Sequence, residues 1–237
     1  MKTFKDEKCL IKLIETKEEM EAALRLYSRI AVKKNPLIID LNISDEFYYE
    51  NYCKYWLDFL LKENLSIGAF DLETQKLICV SLSMDLFSEP PKELDLENLH
   101  PLMQREEAVC LKGLQEYIDE GIIVKKKGYY FYELMAATEE KNSQNKIYYK
   151  VSIYRISLML KKGFILYYGE LTTPMGIRAW IEKIKPTYIK KISLNDFEFK
   201  GKKVFANVDW KKMGLEDEKA YVYCIIKKFS INDSPKL

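Results

Sequence analysis

Apolar and polar residues alternate through CLIKLIE at 9–15, which predicts a half-buried strand. The period then lengthens: TKEEMEAALRLYSRIAV at 16–32 carries Met20, Ala23, Leu24, Tyr27 and Ile30 on one helical face, with Thr16 as N-cap and Glu19 three residues on. DEFYYENYCKYWLDFLLKEN at 45–64 predicts a second helix, capped by Ser44 or Asp45. Its stripe of Tyr48, Tyr52, Trp56, Phe59 and Leu60 is expected to be core. LSIGAFDLETQKLICVSLSMDLF at 65–87 returns to alternation on either side of the polar turn Asp71–Lys76 and predicts a hairpin.

A connection containing Pro90, Pro91 and Pro101 follows, read as a surface loop over 88–101. Beyond it lie a helix in LMQREEAVCLKGLQEYIDEG stopping at Gly121, a strand in GYYFYELMAA, a helix in NKIYYKVSIYRISLMLKKG ending at Gly163, and a strand in FILYYGELTT. MGIRAWIEKI predicts a short helix before Pro186, and YIKKIS, KKVFANVD and KAYVYCIIKKF close the chain as strands. Helices interspersed with strands that include a hairpin imply an α/β fold, a mixed central sheet with helices on both faces. The whole span 1–237 is expected to form a single domain.

Composition narrows the chemistry. The 38 Lys and Arg against 36 Asp and Glu leave a formal charge of +2, so no global field draws the chain to nucleic acid or an acidic membrane surface. Five cysteines (9, 53, 79, 110 and 224) never form a Cys-x-x-Cys pair and read as reduced, buried thiols. The one histidine, His100, leaves a His-based metal site short of ligands, so no metal is expected. No window reaches the roughly 18 apolar residues of a membrane span, and MKTFKDEKCLIKLIE mixes both charges unlike a signal peptide. A soluble cytoplasmic protein is expected, with neither membrane nor nucleic acid among its partners.

The order of elements resembles the GNAT superfamily of acyl-CoA N-acyltransferases. TTPMGIRAWIEKI followed by IKKISLNDFEFKGKKVF looks like a segment of the arylalkylamine (dopamine-type) N-acetyltransferases, a Thr-led helix carrying Glu-Lys and then Gly-Lys-x-Val-Phe. LSIGAFDLETQKLICVSLSMDLF resembles the central hairpin of that group, and the likeness spans about residues 14–208. It implies an acetyl-CoA site in MAATEEKNSQNKIYYKV at 135–151. The strand end at Met135 and Ala137 would lend backbone groups to the pantetheine arm. The loop and helix start, Asn142, Ser143, Gln144, Asn145, Lys146 and Ile147, would meet the pyrophosphate.

The resemblance also exposes departures. Glycine in that loop permits positive φ and lets a phosphate approach the backbone, yet neither alignment frame leaves a glycine there. Ile147 on a glycine position is expected to crowd the ligand, while Lys141 and Lys146 could compensate by charge. KKNPLII puts Asn35 where the group has its Glu base, and Ile181 falls where other members have a Tyr acid. The weak catalytic candidates are Tyr188 and Glu133, the latter expected to share a strand face with Phe131 and Met135; Asp85 is a further carboxylate. Together these departures favour an acetyltransferase-like fold with a degenerate acetyl-CoA site, serving a structural role or binding other proteins in an assembly. The alternative is an active acetyl-CoA-dependent N-acetyltransferase acting on a small amine.

Overall fold

The computed structural model describes residues 4–5, 8–141, 146–211 and 220–230. The strands are β1 (Phe4–Lys5), β2 (Cys9–Leu13), β3 (Ile67–Asp71), β4 (Leu77–Asp85), β5 (Tyr130–Thr138), β6 (Leu166–Leu171), β7 (Tyr188–Ser193), β8 (Glu198–Phe199), β9 (Lys202–Lys203) and β10 (Tyr221–Lys228). The α-helices are α1 (Lys17–Lys34), α2 (Asp45–Asn51), α3 (Leu57–Glu63), α4 (Pro101–Asp119), α5 (Ile147–Lys161) and α6 (Pro174–Arg178). Eight strands form one sheet in the order β1-β2-β3-β4-β5-β6-β10-β7. Every neighbouring pair in it is antiparallel except β5 and β6, which run parallel.

Local chemistry fixes the element ends. The Thr16 hydroxyl accepts the Glu19 N–H at 3.2 Å and starts α1, and the Ser44 hydroxyl accepts that of Phe47 at 3.0 Å and starts α2. The hairpin turn is held by the Asp71 carboxylate, which accepts from the N–H of Thr74 at 2.8 Å and its hydroxyl at 2.8 Å. Gly121 and Gly163 follow α4 and α5 with φ of +70° and +90°, the left-handed geometry that ends a helix.

Alternation divides the core between the two faces. Val80, Leu82, Tyr130, Tyr168 and Val222 pack with α1 to α4, whereas Cys79, Phe131, Tyr167 and Ile225 pack with α5 and the segment after α6. The aromatic stripe is core as expected: Tyr48 stacks on Tyr52 at 5.4 Å, and Trp56 meets Tyr52 and Phe59 edge-on.

Three expectations change. The helix expected over 45–64 is broken: Tyr52 leaves helical geometry at φ −145°, and a 3₁₀ turn over Cys53–Trp56 separates α2 from α3. KKVFANVD contributes only the two residues of β9, because Phe205 and Val208 bury themselves from turns rather than across a ladder. Third, Glu133 shares a face with Phe131 but not with Met135. Leu82 pairs with Met135 and Ser83 with Glu133, so Leu134 is an extra, bulged residue that shifts the alternation by one. Glu133 therefore faces α5, and Met135 and Ala137 face α1 and α4.

Candidate functional site

The bulge coincides with a fork in the sheet. β5 pairs with β6 only through Tyr130–Glu133 against Leu166–Gly169, and beyond that both strands continue apart. Glu139 donates its backbone N–H to Ile78 at 2.9 Å, so by the two-residue period Ala137 and Met135 direct their backbone groups to β4 as well. The groups on the open edge of β5 belong to Ala136 and Thr138. The backbone groups of Met135 and Ala137 are thus turned to β4 and away from the open edge.

A cavity of about 580 Å³ opens at this fork, within the range of small-molecule sites. Its walls are the end of α1 and the following loop (Tyr27, Ala31, Asn35), the face of α4 (Glu106, Glu107, Cys110), β5 from Tyr132, and the end of β6 with the residues after it, Glu170 to Thr173. Three carboxylates converge there. Glu106 accepts Asn35 Nδ2 at 2.7 Å and the Tyr48 hydroxyl at 2.9 Å. Glu107 accepts the Tyr52 hydroxyl at 3.2 Å. Glu170 shares its strand face with Tyr168 and lies across the cavity from α4.

No ion pair to Glu106, Glu107 or Glu170 occurs among the described residues. Burial, the largest cause in each case, pushes Glu106 and Glu107 up to about 7 and Glu170 to about 8. Tyr48 and Asn35 oppose the shift of Glu106, Tyr52 that of Glu107, and Tyr132 and Tyr168 that of Glu170. The pocket can therefore hold or release protons near neutral pH and is suited to a cationic guest.

The sequence patterning carries a signal for all three that the resemblance does not point to. In QREEAVC, Glu106 and Glu107 fall three and four residues after buried Met103 and before Cys110, on the apolar stripe of α4; in YYGEL, Glu170 falls two after buried Tyr168.

The residues expected from the sequence lie as follows. Glu133 lines the cavity but is anchored: its carboxylate pairs with Arg155 and accepts hydroxyls from Ser81 at 2.7 Å, Tyr167 at 2.7 Å and Tyr148 at 3.0 Å. Tyr188 begins β7 at the outer edge of the sheet, is 46% exposed and is not part of the cavity wall. Asp85 caps the turn after β4, accepting the backbone N–H groups of Phe87 and Gly128. Asn142, Ser143, Gln144 and Asn145 lie outside the described residues.

Lys146 is the N-cap of α5 and holds φ 54° and ψ 23°, the left-handed conformation a glycine would supply, without a side-chain cap bond. Ile147 opens the helix with its side chain 4% exposed in the core beside Ile78 and Val151. The Ile147 side chain points inward, and the residue of this stretch that holds the left-handed conformation is Lys146. Among the described residues no group of His, Cys, Asp and Glu could hold a metal ion, and no helix is long and apolar enough to cross a membrane.

The forked mixed sheet between two helical layers is the GNAT fold, and structural comparison finds the same fold in solved N-acetyltransferases. The C-terminal condensation domain of Ebony, solved with β-alanyl-dopamine, superposes with a TM-score of 0.76 at 16% identity, over 93% of this chain and 99% of that one. A mosquito arylalkylamine N-acetyltransferase-like protein gives 0.71 at 16% identity over 93% and 100%, and an agmatine N-acetyltransferase 0.63 at 8% over 93% and 99%. No protein-family profile and no curated protein matches the sequence.

Proposed function

We propose that the protein transfers an acyl group from a thioester to a small cationic amine. The observation that carries this reading is the convergence of Glu106, Glu107 and Glu170, none with an ion-pair partner among the described residues, in one cavity at the mouth of the sheet fork. Carboxylates withdrawn from water without a counter-ion are costly, and an ammonium group would offset that cost by entering. Attack on a thioester needs the nitrogen neutral, so carboxylates with proton affinities near neutrality can both attract the cation and take its proton.

The donor fits the opposite side of the same fork. Ala136 and Thr138 present backbone N–H and C=O groups along an edge that β6 has left, which suits a pantetheine arm lying as an added strand. Acetyl-CoA bound there would supply an activated carbonyl carbon; the chain's own part is to align the acceptor, exclude water and remove a proton. That neighbours in fold act on amines, one being held with an N-acylated amine, supports the same reading.

A second reading, an acetyltransferase-like protein with a degenerate acetyl-CoA site and a structural or protein-binding role, is favoured by one observation: the stretch from Glu139 to Ile147 lacks glycine, and Lys146 holds its left-handed position. Titration calorimetry with acetyl-CoA separates the two. A micromolar Kd, followed by thiol release when dopamine or agmatine is added as probe acceptor, is the expected result. No heat at millimolar acetyl-CoA would remove the enzyme.

A further inference from the structure

Asn35 stands where the arylalkylamine group has a carboxylate, and an amide accepts no proton usefully. In the fold that amide is fixed at both ends: Oδ1 accepts the Leu37 N–H at 3.0 Å, and Nδ2 donates to Oε1 of Glu106 at 2.7 Å. Because the Leu37 N–H can only donate, the amide oxygen must face it and the nitrogen must face Glu106. Asn35 thus delivers a donor to a carboxylate that arrives from α4. The second oxygen, Oε2, accepts the Tyr48 hydroxyl at 2.9 Å, and Tyr48 is fully buried.

Each oxygen of Glu106 keeps a lone pair for a further donor. The adjacent Arg105 does not use it, since its guanidinium is bound to Asp40 and, at 2.8 Å, to the Leu37 carbonyl.

We infer that Glu106 is the proton acceptor for the incoming ammonium, a catalytic carboxylate relocated from the end of α1 to the middle of α4, with Asn35 and Tyr48 as its positioning residues. The inference rests on the acyl-transfer reading above. In the step, one ammonium N–H bond breaks, its electron pair stays on nitrogen, and the proton forms an O–H bond on Glu106. The freed lone pair attacks the thioester carbonyl carbon, the C–N bond forms and the C–S bond breaks. The nitrogen, positively charged after the attack, releases its second N–H proton to the departing thiolate, and the Glu106 proton passes to water, which restores the carboxylate.

The titratable and charged groups facing Glu106 are Arg105, Glu107 and Cys110 on its own helix, Tyr27 on α1, and Tyr48, Tyr52 and Cys53 from the segment between α1 and β3. Burial raises the phenols and thiols, so the carboxylates are the groups of this set that titrate near neutrality. The Tyr48 hydroxyl bonds to the charged form and so lowers the proton affinity of Glu106.

The test is thiol release from acetyl-CoA with dopamine and agmatine as probe acceptors, over about pH 5–9. It compares wild type, Glu106→Gln, Tyr48→Phe and the double variant Asn35→Glu/Glu106→Gln, each checked for folding by circular dichroism. Glu106→Gln is expected to lower kcat/KM about 100-fold or more and to remove the acidic limb of its pH profile. Tyr48→Phe should move that limb to higher pH, because the bond favouring the ionised carboxylate is gone. The double variant, which exchanges the carboxylate and amide in place, should recover about tenfold or more over Glu106→Gln.

A Glu106→Gln protein with the wild-type rate and limb overturns the assignment and leaves acyl transfer standing. Wild type that releases no thiol with either probe overturns both. Should Glu106→Gln fail to fold, the direction of the Tyr48→Phe shift decides: an unmoved limb overturns the assignment.

Discussion

Replacing Glu133 by Gln removes one charge from the most enclosed ion pair among the described residues while keeping the side chain's shape. The side chains of Glu133 and Arg155 are 6% and 1% exposed, so solvent screens the pair little. One carboxylate oxygen takes the Ser81 hydroxyl and the Arg155 guanidinium, and the other takes the hydroxyls of Tyr148 and Tyr167. An amide offers one acceptor oxygen, so whichever way the substituted side chain turns, one pair of donors faces an NH₂ group. Arg155 is left buried without a counter-charge, its remaining support being the Ser81 hydroxyl at 3.0 Å and the rings of Tyr148, Tyr167 and Trp180 at 5.9, 5.2 and 5.4 Å. Breaking a buried pair in this way costs about 3–5 kcal/mol. For a domain of this size that is a fall in Tm of roughly 10 °C. Urea unfolding followed by circular dichroism and tryptophan fluorescence measures it, and adding Arg155→Met to Glu133→Gln should recover much of the loss, since the stranded charge goes with it. A single-variant loss below about 1 kcal/mol, or a double variant less stable than the sum of the singles, would refute the assignment of Glu133 as a buried anchor.

Two further outcomes follow from the cavity and the loop. Glu106, Glu107 and Glu170 are raised from an ordinary 4.5 to about 7, 7 and 8, so between those limits the native state holds protons the unfolded chain has released. Their contribution to stability is complete below about 4.5 and is lost as pH rises to 8, so the urea midpoint should be lower at about pH 8 than at about pH 5.5; a midpoint that rises over that interval contradicts it. Lys146→Gly should stabilise the fold by about 0.5–1 kcal/mol by relieving the left-handed residue, and it should tighten acetyl-CoA binding by removing a Cβ from the phosphate approach. Lower stability in urea, or weaker binding by calorimetry, would count against that placement of the loop.

Most of the fold was legible because its determinants are local. Thr16, Ser44, Asp71, Gly121 and Gly163 each mark an element end through a bond or a backbone angle that a neighbour in sequence supplies. The bulge at Leu134 was not, since YELMAA is apolar but for Glu133, so no alternation marks a change of phase and the extra residue is revealed only by the register against β4. Phe205 and Val208 misled for a different reason: KKVFANVD is rich in strand-forming residues, yet the two are three apart in sequence and are buried from turns. The carboxylates of the cavity were half legible. Their positions on apolar stripes could be read from spacing, but that α4 and β6 bring them to one cavity is a matter of long-range packing. At Asn35 the sequence shows an amide where a proton acceptor is expected; what a linear reading could not supply was Glu106, 71 residues on and 2.7 Å away.

The bulge reconciles two demands on β5 that a regular strand could not meet together. Its first half must hold Glu133 toward α5, where Arg155 and three hydroxyls compensate the charge. Its second half must place Met135 and Ala137 toward α1 and α4, where they cover the apolar side of the cavity. With a strict two-residue period, residues 133, 135 and 137 would all point the same way, and either Glu133 would lose Arg155 and its three hydroxyls or Met135 and Ala137 would leave the core against α1 and α4. The extra residue at Leu134 changes the parity at the point where pairing with β6 ends, so the strand turns its apolar residues to the cavity as it exposes its backbone edge. The buried ion pair is then not an ornament of the core: it secures the last paired residue before the fork, and the geometry of the cavity depends on that residue staying where it is.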